Sequence, residues 1–391
     1  MATLNKENKE YLESQLITYI GNKRALLDFI AQGVQKVQKK LKKEKLECLD
    51  IFCGSGIVAR FLKQFSSVLK VNDLEEYSAI INRCYLANLT DKQKTDLKKY
   101  YDILIKAVDK RMNELELQRK NETYKHPGFI SELYSPSDQD NIKKEERCFY
   151  TPYNANYIDV CRQLIDEKIP AEYRDYFIAP LLSEASIHAN TAGIFKGFYK
   201  NSKTGTGQFG GNGKNALTRI MGRISLPFPV FSDFSCPVQV FNQNANELAG
   251  NPELGSFDLA YFDPPYNQHP YGSNYFMLNL IAKYERPDTD FISRVSGIPR
   301  DWNRSDYNKK KKVSEVFFDL VNKVDARFVL ISFNSEGFIS KEDMIKGLSE
   351  CGKLEVLESR YNAFRGSRNL ANREIHVKEF LFLVEKNQKR R

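Results

Sequence analysis

The 391-residue chain contains no run approaching 18 apolar residues, so no segment of it can cross a membrane as a helix. Its opening stretch, MATLNKENKEYLESQ, is polar and charged, which excludes a secretory signal there. The seven cysteines are odd in number and include no C-x-x-C pair, so a disulfide framework is excluded and a reducing compartment is expected. The four histidines, His126, His188, His269 and His376, are scattered, and with no paired cysteines there is no zinc-site spacing; no metal is expected. Internal repeats and long low-complexity tracts are also missing. What remains is a chain with 41% apolar residues, enough for a core, and a formal net charge of +9, which favours an anionic partner.

The first 90 residues alternate between strand and helix patterns. ALLDFIAQGVQKVQKKL (25–41) has helical spacing, LECLDIFC (46–53) reads as a short buried strand, and IVARFLKQF (57–65) as a helix. SVLKVND (67–73) and SAIINRCYLANL (78–89) repeat the pair. Strand–helix–strand order with crossover helices predicts a parallel sheet of the α/β class. From about 91 to 237 the pattern changes to charged helical stretches. Strands return with VQVFN (238–242), FDLAYFD (257–263), RFVLISFN (327–334), KLEVLESRY (353–361) and VKEFLFLVE (377–385). The expected organisation is one α/β domain in two parts, 1–90 and 238–391, split by an inserted, mainly helical domain at 91–237.

DIFCGSGIVA places a G-x-G turn between a strand and a helix, and Asp73 stands 19 residues beyond Gly54, at the end of the next strand. Glycines let a ligand approach the backbone, the following helix start is polarised positively, and an acid there can accept both hydroxyls of a ribose. This pattern suits a nicotinamide or flavin dinucleotide as well as S-adenosylmethionine, so an oxidoreductase stays open on this motif alone.

A second motif narrows the choice. In FDPPYNQ, Pro264 and Pro265 cannot continue a strand because proline lacks an N–H, so Asp263 and Tyr266 sit on a stiff turn at a strand's carboxyl end. Upstream of the first strand, TYIGNK places Lys23 on a glycine-containing turn. The order YIGNK (19–23), FCGSG (52–56), insert, DPPY (263–266) resembles the Dam-like, alpha-group DNA adenine methyltransferases of type II restriction–modification systems over essentially the whole chain.

The resemblance implies a Rossmann-like S-adenosylmethionine-dependent methyltransferase sheet with an inserted target-recognition domain. The implied activity is transfer of a methyl group from S-adenosylmethionine to the 6-amino group of a flipped adenine in a short duplex DNA sequence. It implies Asp263, Pro264 and Tyr266 as catalytic residues and Tyr19, Lys23, Phe52, Gly54, Gly56, Asp73, Asn244 and Asp263 around the cofactor, with Lys23 pairing with the methionine carboxylate. Position 22 is Asn where a second glycine is common, and Asn244 stands where an acid often meets the cofactor adenine. The chemistry suits the residues: a carboxylate and a proline carbonyl can accept both amino hydrogens and favour attack by the nitrogen lone pair, while an aromatic ring can stack on an extruded base.

Cytosine 4-amino and RNA methyltransferases use related chemistry and stay as alternatives; methylation at cytosine carbon 5 needs a Pro-Cys nucleophile, and no Pro-Cys dipeptide occurs.

Residues 190–223 contain no acid but carry Lys196, Lys200, Lys203, Lys214, Arg219 and Arg223 among glycines, with Phe195, Phe198, Tyr199 and Phe209 interleaved. Such a stretch suits a phosphate backbone and an opened base pair. Arg219, Arg223, Asn212 and Asn215 are candidates for base edges. A second basic loop, 362–374, carries Arg365, Arg368 and Arg373. The expected partner is double-stranded DNA, with a cognate restriction endonuclease as a genetic partner, in a bacterial cytoplasm. One cofactor pocket and one insert suffice for a monomer.

Overall fold

The computed structural model describes residues 7–211, 213–214, 216–265, 267–335, 337–362 and 376–387. Seven strands form one sheet: β1 (Leu46–Asp50), β2 (Ser66–Asn72), β3 (Val238–Phe241), β4 (Phe257–Phe262), β5 (Ala326–Asn334), β6 (Gly352–Asn362) and β7 (His376–Lys386). Their order is β3-β2-β1-β4-β5-β7-β6. The strands from β3 to β5 pair in parallel, whereas β7 runs antiparallel to both β5 and β6. This is a Rossmann-like α/β sheet, with a reversed hairpin closing one edge.

Helices cover both faces. Along β5, Phe328 and Leu330 join one apolar cluster while Val329 and Ile331 join the other, as the two-residue period of a strand requires. The first β-helix unit stops short of its apolar run. β1 ends at Asp50 rather than Cys53, because the backbone must turn through Gly54 (φ 49°) and Gly56 (φ 76°) before the helix Ile57–Lys63 begins. Glycine adopts these positive φ values without steric cost.

Among the described residues no named strand lies between Asn72 and Val238; helices fill most of that stretch. Asp91–Lys120 starts on a Thr90–Gln93 capping box, and Pro152–Lys168 starts on a Thr151 cap with proline at its first position. Apolar residues of the inserted stretch, such as Phe149, Ile158 and Phe177, belong to the same cluster as Ile30, Phe61 and Leu69 of the sheet region. Helix Asp175–Ile187 packs on helix Glu76–Tyr85, and the Arg83–Asp175 ion pair (2.5 Å) ties the two together. The helical stretch therefore shares the core of the sheet and fixes its own position over one face.

Candidate active site

The order of strands reverses at β1: β2 and β3 extend to one side, β4 and β5 to the other. A crevice opens at such a switch point beyond the carboxyl ends of the strands. It holds about 910 Å³ of space between atoms, open mouth included, and is lined by Tyr19, Lys23, Asp50, Phe52, Gly54, Asp73, Asn244 and Asp263, among others.

Asp263 follows β4 directly, where Pro264 and Pro265 end the strand. Its neighbour is Lys23, which follows the Gly21 turn (φ 75°) and is buried. Lys23 Nζ lies 3.2 Å from Asp263 Oδ1 and 3.0 Å from Glu379 Oε1. Glu379, on β7, is fully buried and also accepts a hydrogen bond from Ser332 Oγ at 2.6 Å. Burial pushes the Asp263 carboxyl up to about 6; Lys23 opposes the rise and Glu379 adds to it.

Asp50, the last residue of β1, is buried, and its carboxylate meets no side-chain donor among the described residues, only the Phe52 backbone N–H. Burial, then the nearby Asp263, pushes its carboxyl well above the ordinary range. Asp73 accepts the Gly54 N–H at 2.8 Å and the Glu75 N–H at 3.0 Å, so it fixes the glycine turn from the end of β2. Burial raises its carboxyl and these N–H groups counter the rise. Glu75 accepts from the side-chain amides of Asn279 (2.5 Å) and Asn303 (3.1 Å), and burial lifts it to about 7.

Tyr19 lies on the glycine turn: a Cβ on Gly54 would stand 2.8 Å from Tyr19 Cε1. Its ring clusters with those of Tyr271 and Tyr275, each centroid 5.0 Å away, and these two stand 5.9 Å from one another. Phe52 packs edge-on against Phe262 and Tyr307.

The structure thus brings Tyr19, Lys23, Phe52, Gly54, Asp73, Asn244 and Asp263 to one cleft. Gly56 lies behind it, where a Cβ would meet Asn82 Oδ1 at 2.7 Å. Pro265, the second proline of the motif, reaches the lining. The Asn244 side chain caps helix Ala245–Ala249, accepting from Asn246 N at 2.9 Å and Glu247 N at 3.4 Å. Tyr266, Asn212, Asn215, Arg365, Arg368 and Arg373 lie outside the described residues.

The basic stretch divides. Lys196, Lys200, Lys203, Lys214 and Arg223 are exposed, whereas Phe195 and Phe198 are buried in the core, so these two rings are packing residues rather than a stacking platform. Arg219 turns inward and donates to the carbonyls of Ile187, Ala189 (3.0 Å) and Thr191 (3.3 Å) at the end of a helix. Arg223 lies over the Tyr153 ring at 4.3 Å.

Three acids of the site escape motif reading: Asp50, Glu75 and Glu379. The only trace of Glu379 in the sequence is an acid directly before the apolar run FLFLV (380–384).

A sheet of this order, with a glycine turn and an acid-proline lip meeting at the switch point, fits the methyltransferase class. Residues 19–346 match the D12 class N6 adenine-specific DNA methyltransferases, and the chain belongs to that family. It is an enzyme that methylates the 6-amino group of adenine in DNA.

Type II methyltransferase M.NlaIII of Neisseria lactamica is 30% identical over 377 residues, which span 95% of this chain and 99% of that protein. Type II methyltransferase M.CviAII of Paramecium bursaria Chlorella virus 1 is 29% identical, over 94% of this chain and 98% of its own length. Modification methylase StsI of Streptococcus sanguinis is 27% identical over 94% of this chain, but only 52% of that longer protein is matched.

Proposed function

We propose that the cleft binds S-adenosylmethionine and that Asp263 receives the amino group of an adenine turned out of duplex DNA, at one short sequence protected from a restriction enzyme. The observation that carries this reading is the convergence of a half-buried acid-proline lip, Asp263, with the Gly54 turn and Asp73 in one cleft.

The lining fits the donor. Asp50 is a buried carboxylate with no side-chain donor beside it among the described residues, which a ligand ammonium would satisfy. Asp73 keeps acceptor capacity for ribose hydroxyls beyond its two N–H bonds. Gly54 keeps the backbone bare beside Tyr19, where a Cβ would stand 2.8 Å from its ring. Tyr19 and Phe52 form apolar walls, and Asn244 adds an amide at the rim while capping its helix. Lys23 is already held between two carboxylates, so its first effect falls on Asp263; a methionine carboxylate would be a further partner.

Bound S-adenosylmethionine would supply an already activated methyl group. The chain's own task is then to orient the nucleophile. Asp263 and the Pro264 carbonyl accept the two amino hydrogens and expose the nitrogen lone pair. The amino group gains a methyl group and loses one proton, and a carboxyl near 6 can take that proton at neutral pH. Tyr266 stacks on the extruded base, an interaction worth about 1–3 kcal/mol. Residues 91–237 act as the target-recognition part, with Lys196, Lys200, Lys203, Lys214 and Arg223 on phosphates. Arg365 and Arg368 add further phosphate contacts. The enzyme works as a monomer in a bacterial cytoplasm.

The test is expression in a methylation-free bacterium followed by single-molecule sequencing. Modified adenine in one short motif is expected; modified cytosine, or an unmodified chromosome despite folded protein, would contradict the proposal.

A further inference from the structure

Glu379 belongs to none of the sequence motifs, yet it is the most deeply buried acid near the cleft. It pairs in register with Asn334 of β5, close to the start of β7, and lies outside the cleft lining. Its Oε1 accepts from Ser332 Oγ at 2.6 Å and stands 3.0 Å from Lys23 Nζ, which in turn stands 3.2 Å from Asp263 Oδ1. Ser332, Glu379, Lys23 and Asp263 therefore form a row from the sheet interior to the lip. Two carboxylates share one ammonium. A single cation within bonding distance favours the charged form of an acid, but a second acid beside it takes part of that effect away.

We infer that Glu379 is a positioning residue for methyl transfer: from behind, it fixes the Lys23 ammonium against Asp263 and keeps it from neutralising Asp263 fully, so the lip remains a strong acceptor. This rests on the role given to Asp263 above. Glu379 touches neither DNA nor methyl donor and acts only through Lys23. The charged and titratable groups around Asp263 come from every neighbouring element: Lys23 from the segment before the first long helix, Asp50 from β1, Tyr261 from β4 and Glu379 from β7. Lys23 is the one cation among these named groups. Burial and Glu379 push Asp263 toward the protonated form and Lys23 pulls it back. Removing the negative charge of Glu379 must then lower the pH at which Asp263 loses its proton.

The experiment is single-turnover methylation of a duplex substrate between about pH 5 and 8, comparing the natural enzyme with Glu379→Gln. The acid limb of the natural enzyme is expected near 6, where burial places Asp263. In Glu379→Gln the limb should move down by about one pH unit and the plateau rate should fall about tenfold. Affinity for S-adenosylhomocysteine should stay within about twofold, because the variant leaves the cleft lining intact. Glu379→Asp, which keeps the charge, should hold the limb near its natural place. A uniform fall at every pH with an unmoved limb would make Glu379 merely structural and overturn the inference. An unchanged profile would do the same.

Should Glu379→Gln fail to fold, Ser332→Ala carries the test. It removes a competing donor from Glu379, draws Lys23 toward β7 and should move the limb up; a limb that stays in place overturns the inference. Asp263→Asn, run alongside, separates the two roles. Full activity there removes Asp263 from the mechanism, whereas lost activity with an unmoved limb in Glu379→Gln removes only Glu379.

Discussion

At the strand ends, Lys23, Asp263 and Glu379 come from three distant parts of the chain and meet within 3.2 Å, out of reach of most solvent. Along residues 190–223 the arrangement is inverted: Lys196, Lys200, Lys203 and Lys214 stand exposed while Phe195 and Phe198 are buried. The first region holds its charges against one another before any substrate arrives, which is what a preorganised acceptor requires. The second leaves its charges in water, where they can neutralise phosphates without specifying a base. Arg219 shows that the division is not by sequence position. It lies inside the basic stretch, yet its guanidinium closes the end of a helix.

This contrast can be broken at both ends. The largest effect is expected at the lip. Asp263→Asn should lower methyl transfer by at least about a hundredfold, the scale for losing one preorganised electrostatic partner, with the melting temperature preserved. Radiolabelled methyl incorporation measures it, and near-normal turnover would remove the proposed role. Next comes Lys23→Met, which leaves Asp263 and Glu379 facing each other without their cation. Breaking a buried pair from one side should cost about 3–5 kcal/mol in urea unfolding. The acid limb of activity should also move to higher pH, since Lys23 is the group that lowers the Asp263 carboxyl.

In the exposed region the two signatures should separate. Replacing Lys196, Lys200 and Lys203 with Ala should leave stability within about 0.5 kcal/mol. The log–log salt slope of DNA binding should flatten by about 0.9 for each phosphate no longer neutralised, as read by fluorescence anisotropy. Arg219→Ala should do the reverse, destabilising by about 1–3 kcal/mol through unpaired carbonyls while the salt slope holds. The smallest effect is expected for Asn244→Ala, about 1 kcal/mol for a missing cap. A many-fold weaker affinity for S-adenosylhomocysteine in that variant would show that the amide serves the cofactor more than the helix.

How much of this was legible follows the same line. The lip could be read because two prolines must end a strand, and the glycine turn because glycine takes the positive φ of Gly54 and Gly56 without steric cost. Both are local constraints. Asp73 was readable as an acid at a strand end, though its grip on the Gly54 N–H appears only once β1 and β2 are paired. Glu379 was not legible, because an acid in an apolar strand acquires meaning only when β7 is laid antiparallel beside β5 and meets Lys23, 356 residues away in sequence. The aromatics at Phe195 and Phe198 were misread because composition shows rings among lysines but not which side of the chain faces the core. Periodicity likewise showed that the inserted helices have apolar faces, without showing that these would join the core of the sheet.

The central claim is that the crevice at the β1–β4 switch point is the methyl-donor site. Calorimetric titration of S-adenosylhomocysteine into the natural enzyme and into Gly54→Val, with thermal unfolding of both as control, tests it most directly. One site should saturate in the natural enzyme. Binding should vanish in a folded Gly54→Val variant, whose Cβ would stand 2.8 Å from Tyr19 Cε1 and push that wall of the cleft out of place. Equal affinity in the two proteins would place the donor elsewhere and contradict the account.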